Sequence, residues 1–162
     1  MPFLPPIPPW SSLHVLVVHM PIGLLLLSPI LLILGMLPGR WRDGLRVGAL
    51  LVLVLGSAAA YLALQSGEAA AMMVERSEQI DAVLARHAQF AELTCGIFLG
   101  GTIIYGLFLG VGLFFPAIGR GKVALTAQIV ALLVITSGCL LLADTGHLGG
   151  QLVHELGIRA ML

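Results

Sequence analysis

Four apolar stretches, about 13–37, 45–65, 91–115 and 123–143, constrain this chain more than anything else in it. Each is near or above the roughly 20 residues an α-helix needs to cross a bilayer. Backbone N–H and C=O groups in lipid have no water to bond, so a spanning segment must satisfy them internally, and these runs are read as helices. Composition agrees: 59% of residues are hydrophobic and 10% charged, whereas a soluble domain carries roughly a quarter charged residues. The expected fold class is all-α: an integral membrane four-helix bundle forming a single transmembrane domain over residues 1–162, with an outer-face amphipathic helix before helix three.

Loop charge sets the expected orientation. Arg40, Arg42 and Arg46 lie between helices one and two, and Arg120 and Lys122 between three and four. These short connections hold five of the eight basic residues, which places them in the cytoplasm and both termini outside. The segment of about 66–90 carries Glu68, Glu75, Glu78 and Asp81 and is expected outside. The first 12 residues contain five prolines and no basic residue. They lack the charged start of a signal peptide and read as an extended arm, with Trp10 at the interface and Ser11 or Ser12 capping the first helix. The expected location is the bacterial cytoplasmic (inner) membrane, crossed several times. Net charge is zero, so the chain has no basic excess to point to a nucleic-acid partner.

In this topology all five histidines fall at the outer face. His14 and His19 open helix one, His87 enters helix three, and His147 and His154 follow helix four. Ionisable groups at membrane depth are functional by default. Residues 69–90 show helical periodicity, with Met73, Ile80, Leu84 and His87 on one face and Glu75, Glu78, Asp81 and Arg86 opposite, so His87 is expected to turn inward against helices one and four. His14 and His19 are about 140° apart on an ideal helix and cannot aim at one point. Pro21 either kinks the helix or marks the first turn of the helix proper. Gly146, Gly149 and Gly150 around His147 are expected to break helix four.

Three motifs in order, Leu13-His14 through His19-Met20-Pro21-Ile22-Gly23, then Gly67-Glu68-Ala69-Ala70 with His87, then Thr145-Gly146-His147-Leu148-Gly149-Gly150-Gln151-Leu152-Val153, resemble the bacterial four-helix membrane family catalogued as domain of unknown function 2231. The family's usual patterns are His-Pro-x-x-Val-His-Phe-Pro-Ile and Thr-Gly-x-x-Gly-Gly-x-Leu-Val-Tyr. This chain departs from them with Val15 for proline, Met20 for phenylalanine and His154 for tyrosine. The resemblance implies a four-helix fold and no particular activity.

Histidines from several helices of an apolar bundle suit a b-type haem, which takes two imidazoles as axial ligands in an apolar slot. His14, His19, His87 and His147 are the candidate cofactor or metal ligands, enough for one or two haems. Gly96, Gly100, Gly106 and Gly110 on helix three offer such a slot, or simply close helix packing. No Cys-x-x-Cys-His occurs, so covalent haem attachment is excluded. The rival is a zinc, copper or non-haem iron ion, with Glu92, Asp144 or Glu155 completing the set and Glu92, Asp144 and His154 as supporting or alternative ligands. No His-Glu-x-x-His is present to indicate metalloprotease chemistry. Cys95 and Cys139 read as buried free thiols. The expected function is membrane electron transfer, with the lipid bilayer and other membrane or periplasmic redox proteins as partners and a homo-oligomer as a further possibility. A non-catalytic subunit of a larger membrane complex is the alternative from another class.

Overall fold

A computed structural model describes residues 9–158. Five helices follow in order: α1 (Trp10–Val17), α2 (His19–Leu34), α3 (Arg42–Ala71), α4 (Glu78–Phe114) and α5 (Gly121–His154). Helices α1 and α2 make one continuous rod, giving four candidate spans in all, Trp10–Leu34, Arg42–Ala71, Glu78–Phe114 and Gly121–His154, with mean hydropathies of 2.1 to 2.4. The contacts run α2 to α3, α3 to α4, α4 to α5 and α5 back to α2, which closes a four-helix bundle. Of the 12 residues expected to form an extended arm, 1–8 lie outside the described residues, and Trp10–Ser12 belong to α1.

The rod α1–α2 carries two proline gaps. Pro21 falls in the first turn of α2, where it removes the N–H that would reach the Val17 carbonyl, and the chain passes through Val18 with helical angles (φ −58°, ψ −27°). Pro29 is inside α2 and frees the Leu25 carbonyl. That carbonyl is not orphaned: Ser28 Oγ donates to it at 2.7 Å and the Cys139 thiol of α5 at 3.6 Å. A broken helical bond in a dry bundle thus becomes a contact between helices.

The core runs along the bundle axis through Leu25, Leu32, Leu53, Phe98, Tyr105 and Ile135. Ile104, Leu107, Leu133 and Leu140 are exposed and face lipid. Ser57 and Thr102 hydrogen-bond at 2.9 Å between α3 and α4, and Gln128 Nε2 donates to the Tyr105 hydroxyl at 3.0 Å between α5 and α4. The tightest approach is at Gly56, where a Cβ would fall 2.6 Å from Leu25 Cδ2 and 2.8 Å from its Cγ. Both groups are wholly or nearly buried, so neither can swing away. Gly56→Leu should therefore lower the unfolding free energy by about 1–3 kcal/mol through overpacking, while Gly48→Leu, with open space around it, should not. Thermal unfolding in detergent would compare them.

Three expectations are corrected by this architecture. Ser11 and Ser12 do not cap the first helix. It starts at Trp10 after Pro9, with no side-chain cap, and both serines lie within its first turn. The amphipathic segment is not a separate helix. Residues 69–71 finish α3, a turn follows, and residues 78–90 are the first part of α4, whose start is set by Ser77 accepting the Ile80 N–H at 3.3 Å, with Glu78 and Asp81 in the first turn. Lastly, the glycine-rich tail does not break helix four, because α5 continues to His154. Each glycine costs a helix about 1 kcal/mol relative to alanine, and at Gly149 the gap left by the missing side chain receives the His87 ring.

Candidate functional site

The chain directions bring four helix ends together: α1 and α4 begin, and α3 and α5 finish, at one end of the bundle. His14 points from α1 onto α3. Its Nδ1–H donates to the Ala63 carbonyl at 2.9 Å, with Ser66 Oγ 3.2 Å away, and Ser66 Oγ donates to the same carbonyl at 3.1 Å. The ring lies against Gly67, where a Cβ would fall 2.9 Å from His14 Cε1. Only glycine leaves room for the imidazole there.

His87 makes the same contact from α4 to α5. Its Nδ1–H donates to the Thr145 carbonyl at 3.0 Å, and its Cε1 is 3.3 Å from where a Cβ on Gly149 would be. Thr145 is held in turn, its hydroxyl donating to the Leu141 carbonyl at 2.8 Å and pairing with the buried Thr94 at 3.3 Å. In both cases the imidazole bonds a carbonyl at one position and rests on the glycine four residues later, Ala63 with Gly67 and Thr145 with Gly149. A residue four further on lies one turn along the same helix face, so each receiving helix offers an acceptor and a gap in one patch. Two antiparallel helix pairs thus repeat one device.

The two rings lie at the same end of the bundle, one on α1 and the other on α4. Both are half-buried. Because a carbonyl can only accept, Nδ1 carries the proton in each, and in the neutral ring that leaves the Nε2 lone pair available. Backbone anchoring of the far nitrogen is how proteins orient imidazoles for ligation.

The other candidates are placed differently. His19 is exposed and donates from Nδ1 to the Val15 carbonyl of its own rod at 2.9 Å. His147 and His154 are exposed, as are Glu92, Asp144 and Glu155. Among the described residues no group of three or more His, Cys, Asp or Glu side chains gathers as a metal site. Cys95 and Cys139 are buried free thiols. Of the helix-three glycines, Gly101 packs against Ile135 (2.9 Å to its Cδ1 from a built Cβ) and Gly106 against Leu50 (3.4 Å), whereas Gly96, Gly100 and Gly110 have nothing within 4 Å. Sequence reasoning did not single out Ala63, Ser66, Thr94 and Thr145 as partners. Their signal is the Thr-x-x-x-Gly spacing and a Ser-Gly pair four to five residues before the end of a spanning helix.

Comparison with curated proteins and with solved structures returns no significant match. A family profile described as predicted membrane protein (DUF2231) matches residues 11–161, a range that includes His14, Gly67, His87, Thr145 and Gly149. With nearly the whole chain covered, this protein belongs to the DUF2231 family of predicted membrane proteins.

Proposed function

We propose that the protein is a membrane electron-transfer subunit that holds one b-type haem between His14 and His87, at the outer face of the bacterial inner membrane. The observation that carries this reading is the matched pair of imidazoles, each with its Nδ1–H tied to a backbone carbonyl of the neighbouring helix. A bare zinc ion takes three or four protein ligands, and no such group is gathered among the described residues. A porphyrin supplies four nitrogens of its own and asks the protein for two, which is the number on offer.

His14 and His87 would hold the haem, each through the Nε2 that its carbonyl-bound Nδ1–H leaves free. Ala63, Ser66 and Thr145 hold the rings in orientation, and Gly67 and Gly149 give them space. Bound haem would supply reversible one-electron chemistry, its potential set by the ligands and the polarity around them. The exposed positions of His19 and His147 favour one haem over two. Arginines at the opposite end of the bundle support the orientation, since basic loops stay in the cytoplasm.

Full-length protein, purified after expression with ample haem, should show a reduced b-type absorption band and one haem per chain by pyridine haemochrome assay. A colourless protein that retains zinc, copper or non-haem iron would replace this reading with the metal site. Retention of neither would leave the role of a structural subunit.

A further inference from the structure

At the opposite end of the bundle lies a cleft of about 460 Å³ between α3, α4 and the α4–α5 loop. Three guanidinium groups line it, those of Arg42, Arg46 and Arg120, against the single carboxylate of Asp43. Arg42 Nε and Arg46 share one oxygen of that carboxylate at 3.5 and 3.6 Å, so neither ion pair is close. Arg46 is only 7% exposed, and its Nε donates to the Gly35 carbonyl at 3.1 Å, closing the end of α2. The Arg120 side chain makes no ion pair or hydrogen bond with the described residues. It is carried to the cleft by a close backbone approach: Gly112 and Gly119 pack so that a Cβ on either would fall 3.1 Å from the Cα of the other. The cleft therefore holds two positive charges in excess, three arginines less one aspartate, one of them almost wholly buried.

Its remaining wall is apolar. Val47 and Leu50 of α3 face Phe108, Leu109 and Leu113 of α4, with Gly106 and Gly110 between. A cationic mouth continuous with an apolar trough, in a span that meets lipid on its outer surface, matches an anionic head joined to hydrocarbon. We infer that this cleft binds an anionic phospholipid, its phosphate between Arg42, Arg46 and Arg120 and an acyl chain along the α3–α4 trough. Guanidinium forks suit phosphate oxygens, which accept two parallel N–H bonds. Basic pockets at helix ends are sites of this kind in membrane proteins. The inference is independent of the histidine site, which lies at the other end of α3 and α4.

Native mass spectrometry of the full-length protein, given equimolar phosphatidylglycerol and phosphatidylcholine with identical acyl chains, tests it. Phosphatidylglycerol should be retained preferentially. Arg42→Gln with Arg120→Gln removes two charges at positions that are not deeply buried, and should reduce that preference about 10- to 30-fold. Equal retention of the two lipids by the wild-type protein would overturn the inference, whatever the variant does. Displacement of phosphatidylglycerol by millimolar inorganic phosphate, which lacks the acyl chains, would overturn it too, since the site would then recognise phosphate alone.

Discussion

His14→Ala and His87→Ala should each weaken haem retention by at least about 100-fold. That exceeds the roughly 10- to 100-fold loss that follows when only the group orienting a ligand is removed. His19→Ala and His147→Ala should retain haem within about twofold of the wild type, the range of surface substitutions that touch no special feature. The distinction rests on placement. His14 and His87 reach across to the Ala63 and Thr145 carbonyls of neighbouring helices, whereas His19 bonds the Val15 carbonyl of its own rod and His147 is exposed. Haem content per chain and the reduced absorption band would measure the series. Equal losses in all four variants would point to a general collapse of the outer end. Full retention in His14→Ala and His87→Ala would remove the pair as ligands.

The spanning helices were legible because a long apolar run has one way to satisfy its backbone in lipid. Their ends were less so. Apolar length marks where a helix lies in hydrocarbon, and α4 and α5 extend past it, α4 back to Glu78 and α5 on to His154. Intrinsic propensity misleads most around Gly149, which looks like a helix breaker until His87 is seen lying against it. The inward turn of His87 could be read from its periodicity with Ile80 and Leu84, because that argument stays within one helix. Nothing local separates His14 from His19. One faces α3 and the other does not, a difference set by which side of the rod meets its neighbour. The helix-three glycines show the same limit. Their spacing predicts a close approach, yet Gly101, outside the GxxxG stripe, is the one that meets α5 most tightly.

The two glycines beneath the imidazoles give the second large effect, and it has a rank order. A Cβ on Gly67 would lie 2.9 Å from His14 Cε1 and 3.2 Å from its Nδ1, whereas on Gly149 it would lie 3.3 Å from His87 Cε1 and 3.7 Å from Nδ1. The first distance is shorter than real Cβ contacts allow, so the His14 ring must move. The second asks His87 to yield a few tenths of an ångström. Each ring is also held on its far nitrogen by a carbonyl one turn back on the same helix, which leaves it little freedom to shift without losing that bond. Gly67→Ala should therefore cost roughly 10- to 100-fold in haem affinity, the scale of disturbing a ligand's orientation, and Gly149→Ala clearly less. Both changes improve intrinsic helix propensity by up to about 1 kcal/mol, so neither should reduce the helicity of the haem-free protein. Circular dichroism of the haem-free variants beside haem titration would separate the two effects. Loss of haem with helicity intact, and larger at Gly67, is the pattern a displaced imidazole produces. If Gly149→Ala proved the more damaging, the His14–Gly67 contact would not be the tighter half of the site. Wild-type affinity in Gly67→Ala would mean that His14 can leave its place against α3 without consequence, which a residue that holds the haem from the Ala63 carbonyl cannot do.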